Sequence, residues 1–439
     1  MDIFEKRIKK YIVEHSMLTD GQGVIVALSG GSDSVALLLV LDRLGYKCYA
    51  AHCNFHLRGD ESMRDERFVT DLCDRFSIKL YKTDFDTMKY AEDNSVSVEM
   101  AARELRYSYF RLLEKETGVK CVAVGHHRDD NVETLFLNLL RGTGIRGVCG
   151  IQPVNGDVVR PLLGVSREDI KVYLDSLGVG YVTDSTNLVD EYKRNKIRLN
   201  IIPELLTVNS AAVDNILTTI KNLNEVRKIY IKSIADDMAK CVSEGPDGVC
   251  SIDSEKLLSC VSPKSVLHEI LTPYGFNADQ EAQVMSCVAN GKVGSLFHSP
   301  THVLAVDRVS VVVCESVKQI VNPVQLSEFP DITSTDVPVS SLSMVKDKAH
   351  AYVDRDKLAG ELYVRSCKPG DSFCPFGMKG KKLVSDYMTD RKFDRIRKMR
   401  QLVVCDESDN IVWLVGERGV DTYKVDERTV NVLVLSVSK

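Results

Sequence analysis

Six consecutive residues, Ser29-Gly30-Gly31-Ser32-Asp33-Ser34, combine the groups that hold a phosphate. The two glycines let the backbone turn tightly and leave room for an anion near its N–H groups. An apolar helix starts at once behind them, so free N–H donors and a positive dipole end face the same point. Ser29, Ser32 and Ser34 add hydroxyls, and Asp33 adds a carboxylate able to hold magnesium on the same phosphates. A plain Gly-Ser turn capped by Asp33 or Ser34 is the structural alternative. No G-x-x-x-x-G-K-[ST] is present, so a P-loop NTPase is not supported, and a dinucleotide site is not expected.

Further polar clusters follow. Ala51–Val69 carries His52, Asn54, His56 and Arg58 in what reads as a loop at a strand end. Glu99, Arg103 and Arg106 stand at i, i+4 and i+7 of a helix and share a face, with Ala102, Leu105, Tyr109 and Leu112 opposite. That row is also readable as an ion-pair ladder. In GHHRDDNVET (Gly125–Thr134), Asp130 and Glu133 lie at i, i+3 and point one way, suiting magnesium or an ammonium group. The His126-His127 pair lacks a third ligand at zinc spacing. RGTGIRG (Arg141–Gly147), RPLL (Arg160–Leu163) and DSTN (Asp184–Asn187) come next, and Lys193–Arg198 packs four basic residues into six. Such a basic run fits phosphate contacts or a solvated face.

These residues need a frame that brings them together. From Gly23 to Gly142 strand and helix signals alternate: GVIVALS, then an apolar helix to Gly45, then YKCYAAHCN, a helix, IKLYKTDF, a long helix over 97–118, KCVAVGHH and another helix. That order predicts a parallel sheet covered on both faces, with ligands at the carboxyl ends of its strands. Beyond Pro203 the reading is mainly helical, with a hairpin over Ser295–Cys314. The 321–341 stretch, rich in Pro, Ser, Thr and Asp, reads as a linker, and short strands follow from about 350.

Bulk properties agree. The 439 residues call for two or three domains, and 44 % apolar with 27 % charged residues is globular. Net charge is −5, so any nucleic-acid surface must be local. Residues 365–400 supply one, with 11 Lys and Arg against 4 Asp and Glu, a local +7. The 13 cysteines form no C-x-x-C, which fits a reducing compartment. The amino-terminal stretch is charged and helical, and no apolar run approaches the roughly 20 residues of a membrane span. A cytoplasmic protein away from membranes is expected.

Within this frame SGGSDS resembles the PP-loop of ATP pyrophosphatases. Together with AHCNFHLR, E-x-x-x-R-x-x-R-Y, GHHRDDNVET, NLLRGTGIRG, RPLL, DSTN and Y-x-R-N-x-I-R, in that order, it is similar to the tRNA(Ile)-lysidine synthase family. RSCKPGDSFCPFGMKGKKLVSDYMTDRK (Arg365–Lys392) with IVWLVGERGVD resembles that family's last domain. Phe55 departs from the family pattern, which has His there. The resemblance implies an α/β fold: a doubly wound PP-loop domain over 1–205 (adenine nucleotide alpha hydrolase-like), a mainly helical middle domain over 206–320 contacting tRNA, a linker over 321–349, and a small α+β tRNA-binding domain over 350–439. It implies adenylation of the wobble cytidine of the CAU anticodon by ATP, attack by L-lysine at carbon 2, and a change of tRNA identity from methionine to isoleucine. It further implies Ser29, Gly30, Gly31, Ser32, Asp33 and Ser34 on ATP, Arg194 and Arg198 on AMP or tRNA phosphates, and Asp33 and Asp130 near Mg2+. Asp130 and Glu133 would hold magnesium or lysine's ammonium, and Arg106 its carboxylate. Asp33, Asp130, Glu133 and Arg106 are thus the expected catalytic set, and a homodimer stays open. A tRNA thiolase would need a cysteine pair or an iron–sulfur site. An RNA-binding module with a silent loop is at odds with intact Asp33, Asp130 and Glu133.

Overall fold

The computed structural model describes residues 1–183, 193–245, 248–316, 320, 322–345 and 347–437. The chain divides into two compact units, Met1–Tyr230 and Ile231–Lys439.

In the first unit the strands are β1 (Gly23–Ala27), β2 (Lys47–Asn54), β3 (Lys79–Asp84), β4 (Val122–Ala123), β5 (Val154–Asn155) and β6 (Val158–Val159). They line up as β3-β2-β1-β4-β6-β5, all neighbours parallel except the β5–β6 edge hairpin. The helices are α1 (Ile3–Glu14), α2 (Ser32–Arg43), α3 (Asp60–Arg75), α4 (Thr87–Asp93), α5 (Val98–Thr117), α6 (Arg128–Arg141), α7 (Ile145–Val148), α8 (Arg167–Leu177), α9 (Lys193–Lys196) and α10 (Ile202–Val208). Every residue of α2 from Val35 to Leu41 is buried. A continuous apolar run of that kind is what a helix between a sheet and other helices requires. It shares one core with β1, α1 and α8, while α5 covers the other face through Phe110 and Leu113 packed on Ile25, Ala51 and Val122. Of the apolar residues expected opposite the charged row on α5, Ala102 is buried but Leu112 is exposed; Ala101, Phe110 and Leu113 are the other buried positions.

The chain runs β1 to β3 in one direction across the sheet and then crosses back to β4, on the other side of β1. That reversal opens a crevice at the carboxyl ends of β1 and β4, where ligands collect in open parallel sheets. Gly125, just past β4, approaches the loop after β1 so closely that a Cβ there would stand 3.1 Å from the backbone carbon of Asp33 and 3.2 Å from Ser34 N. A side chain there would press on the backbone of the loop, so glycine suits this close approach.

In the second unit, helices Ser254–Ser259, Pro263–Leu271 and Ala278–Ala289 accompany a five-stranded antiparallel sheet. The expected hairpin is its centre, with His302–Val306 paired to Ser310–Glu315. Further along, Val324–Gln325, Tyr363–Ser366, Leu402–Cys405, Ile411–Leu414 and Arg418–Gly419 form a second five-stranded sheet around fully buried Trp413. Part of the stretch expected as a linker, 321–349, is a strand. Ile332–Pro338 pairs residue for residue with Asn431–Val437, which pairs on its other side with His350–Asp354. The strand is an edge with mostly exposed side chains. Its backbone bonds hold it, so its composition reads as loop. No helix among the described residues is long and apolar enough to cross a membrane, and all 13 cysteines are free thiols.

Candidate active site

The loop after β1 is shaped from inside. Gly30 takes φ +93° and accepts a hydrogen bond from Val182 N at 2.9 Å. Ser34 Oγ accepts from the N–H of Ser29 and of Gly30, each at 3.2 Å, and donates to Gly31 O at 2.9 Å. Its hydroxyl therefore holds the turn from inside. The N-cap of α2 is Gly31, with no side-chain hydrogen bond. The first-turn N–H groups are left open, as an anion site needs. Ser32 Oγ donates to Asp33 Oδ1 at 3.0 Å.

Across the crevice stand the residues after β4. His127 is buried, caps α6 and accepts from Asp129 N through Nδ1 at 3.2 Å. Its Nε2 lies 3.7 Å from Asp33 Oδ2 and 3.6 Å from Asp130 Oδ2, so it sits between the two carboxylates. Burial, with repulsion from Asp130, pushes the Asp33 carboxyl above its ordinary range. Burial acts on Asp130 too, but His127, Arg194 and the His127 N–H outweigh it and hold that carboxyl low. Two converging carboxylates, one of them unrelieved, suit a hard divalent cation. Among the described residues no group of three metal-ligating side chains occurs, so phosphate or water oxygens would complete the shell. His126 is driven by burial down to about 4 and accepts from Arg160 Nε at 3.2 Å. It is a neutral imidazole whose other nitrogen is left to donate.

Glu133 is wholly buried. Arg194 Nε reaches it at 2.6 Å and Arg198 Nε at 2.5 Å, and Arg194 also binds Asp130 at 2.9 Å. The four residues expected to meet lysine, metal and phosphate are thus brought together, but they meet one another. Arg198 lies in a single π-helical turn, Ile197–Ile201, a feature frequent at functional sites.

Arg106 differs. It lies 5.3 Å above the Phe55 ring and forms no ion pair with Glu99 or any other described residue. Burial pulls its pKa down. The ion-pair ladder on α5 is absent; Arg103 rests on Tyr107 at 4.9 Å. Phe55, the departure in the AHCNFHLR stretch, stacks on Phe85 at 5.7 Å and supports Arg106 from below.

Arg106 lines a cavity of about 330 Å3 with Asp33, Asp130, His126, Cys53 and Phe55. His52, Asn54 and His56 have structural partners instead: Leu28 O at 2.8 Å, Glu66 at 3.0 Å and, at the surface, Asp84 at 2.7 Å. Gly142–Gly147 has G-x-G-x-x-G spacing but follows α6 rather than a strand, so it is no dinucleotide loop. Asp184–Asn187 and Tyr192 lie outside the described residues. Sequence reasoning missed Arg167 and the wedge of His127. Nothing in their spacing marks them, since their partners come from other elements.

Comparisons with known proteins agree with this geometry. Residues 1–205 match the PP-loop domain family, and 246–316 match the TilS substrate binding domain. The tRNA(Ile)-lysidine synthase of Bacteroides thetaiotaomicron is 43 % identical over 99 % of this chain and 100 % of its own. The chain belongs to the tRNA(Ile)-lysidine synthase family. The synthases of Parabacteroides distasonis, 43 % identical over 98 % of each chain, and Porphyromonas gingivalis, 38 % identical over 96 % of this chain and 95 % of its own, extend the likeness. A solved U34-tRNA thiolase from Methanococcus maripaludis overlaps 51 % of this chain and 79 % of its own at TM-score 0.42 and 17 % identity, too distant to bear on activity. As a member of the tRNA(Ile)-lysidine synthase family the chain is an ATP-dependent ligase that modifies tRNA, and the loop after β1 lies within the part that matches the PP-loop domain.

Proposed function

We propose that the enzyme joins L-lysine to carbon 2 of the wobble cytidine of a CAU-anticodon tRNA(Ile) through an adenylated base. The base oxygen O2 attacks the α-phosphorus of ATP, the bond to the bridging oxygen breaks, and pyrophosphate leaves with the electron pair. The amine of lysine then adds at carbon 2, and AMP leaves. The observation that carries this reading is the 330 Å3 cavity itself. It joins the PP-loop to an unpaired arginine, Arg106, and to the Asp33–Asp130 pair. A free carboxylate-bearing substrate with an ammonium group has a counter-charge for each end there.

In this reading Ser29, Gly30, Gly31 and Ser32 cradle the polyphosphate through the backbone and the α2 dipole. Magnesium at Asp33 and Asp130 would neutralise charge on the phosphates. Arg106 takes the lysine carboxylate, and Asp130 or Glu133 its α-ammonium, leaving the ε-amine to react. Catalysis is then mainly positioning and charge neutralisation. The unit from 350 to 439 would hold the tRNA body, with L-lysine and ATP confined to 1–205.

Pyrophosphate release measured with and without lysine and tRNA tests the scheme. Release should require tRNA and precede lysine transfer. Release that needs lysine but not tRNA would mean that the lysine carboxylate is adenylated, and the scheme fails. In the same assay Asp33→Ala should abolish AMP transfer in a folded protein; wild-type turnover would remove the loop assignment.

A further inference from the structure

A second cavity, of about 230 Å3, opens on the other side of the PP-loop and is lined by Gly31, Ser32, Asp33, Thr183, Arg198 and Arg167. We propose that Arg167 is the residue that receives the departing pyrophosphate. This deepens the adenylation reading above and rests on it.

The backbone of Arg167 is held from several directions. Ser166 caps α8 in a reciprocal box with Asp169, at 3.1 and 2.8 Å. Arg167 N donates to Asp129 Oδ2 at 2.9 Å, and Arg128 N donates to Val165 O at 2.9 Å. The start of α8 is thereby fastened to the start of α6, and the Arg167 side chain is set beside the loop. The side chain itself is left over. Its Nε is buried without a hydrogen-bond partner among the described residues. Of the other arginines about this cavity and the crevice, Arg58 binds Asp65 Oδ2 at 3.2 Å, Arg160 binds Gln152 O at 2.8 Å, and Arg194 and Arg198 bind Glu133; Arg106 faces the first cavity. A buried donor without an acceptor is destabilising unless a ligand supplies one. Here the cavity also contains the uncapped first turn of α2, which attracts the same kind of ligand. Arg167's charge is felt at Asp33, on the loop.

The chemistry gives such a group a task. When O2 of the base bonds to the α-phosphorus, the α–β bridging oxygen keeps the electron pair and becomes a pyrophosphate oxygen. Negative charge grows on the leaving group, and no proton is needed. A guanidinium fork can bind two of its oxygens at once, which an ammonium cannot. The lysine and base side of the crevice is served by Arg106, in the other cavity. Arg106 and Arg167, neither ion-paired among the described residues, thus divide the site into an acceptor side and a leaving-group side.

The test is inhibition of tRNA-dependent AMP transfer by added pyrophosphate, in the full-length wild type, Arg167→Gln and Arg167→Lys. The inhibition constant should rise about ten- to a hundredfold in Arg167→Gln, the range of a charge-assisted hydrogen bond. Arg167→Lys should recover part of it, with lysine KM and melting temperature unchanged. An unaltered inhibition constant in folded Arg167→Gln overturns the proposal, as does a change in lysine KM alone. If Arg167→Gln does not fold, Arg167→Lys with wild-type pyrophosphate inhibition overturns it equally. If pyrophosphate fails to compete with ATP in the wild type, the adenylation scheme is at fault, and Arg167's role falls with it.

Discussion

Arg194 Nε meets Glu133 Oε2 at 2.6 Å across 61 residues of sequence, and the carboxylate it meets is wholly buried. A lysine ammonium can reach Glu133 only if an arginine leaves, and in the proposed scheme the phosphates of ATP would be the anions that draw one away. Lysine should therefore bind more tightly in the presence of a non-hydrolysable ATP analogue. Calorimetric titration of lysine with and without the analogue measures this coupling. Equal affinities would mean that Glu133 is structural and that lysine is held without it.

The same pairing predicts a stability effect. Arg198→Ala leaves Glu133 with one partner in place of two and should destabilise the protein by about 1–3 kcal/mol. Adding Glu133→Gln in that background should restore part of the loss, because the buried charge is gone. Urea denaturation of both variants reads it; a loss below about 0.5 kcal/mol in Arg198→Ala contradicts the network.

Arg106→Ala should raise lysine KM roughly ten- to a hundredfold and leave ATP KM nearly unchanged, since the group has no counter-ion among the described residues to lose. Phe55→Leu should produce a smaller change in the same direction by removing the cation–π support. Steady-state kinetics in both substrates decides. Parallel changes in both KM values would make Arg106 a general structural cation.

His126 gives a pH dependence. Its folded-state pKa lies near 4 against an ordinary 6.5. Below 6.5 the unfolded chain takes up a proton that the folded protein refuses, so stability falls progressively as pH drops from 6.5 to about 4. His126→Gln keeps a neutral side chain and should flatten that part of the stability profile. Urea midpoints at several pH values, compared between the two proteins, test it. Identical slopes would place the His126 ring in water rather than in the crevice.

The basic stretch 365–400 is partly committed to its own fold. Arg365 is buried and bidentate on Asp371, and Lys382 pairs with Asp390. Lys379 and Lys381 remain exposed. Neutralising Lys379, Lys381 and Lys382 together should weaken tRNA binding and flatten its salt dependence by about 0.7–0.9 log units per lost phosphate contact, with ATP affinity unaltered. Matching salt slopes in wild type and triple variant would make the patch a solvated face.

Much of this protein is local, and local features are legible in sequence. The strand–helix alternation from Gly23 to Gly142, the apolar run of α2 and the SGGSDS turn depend on neighbours within a few residues, so period and residue type suffice to read them. The family motifs likewise bring Asp33, Asp130, Glu133 and Arg106 into view without a structure. What each side chain touches is a different matter. Ser34 and Asp33 are adjacent in sequence, yet one is spent inside the loop and the other faces His127, because Gly125 brings the β4 end against the loop. Glu133 is neutralised by residues more than 60 positions away. Arg167 is left unpaired because Asp129 fastens its backbone beside a loop more than 130 residues earlier in the chain. Ile332–Pro338 reads as a linker because an edge strand is held by backbone bonds to Asn431–Val437, which leave no trace in side-chain pattern. Pairing, burial and the absence of a partner are properties of distance in space, and only the folded chain determines them.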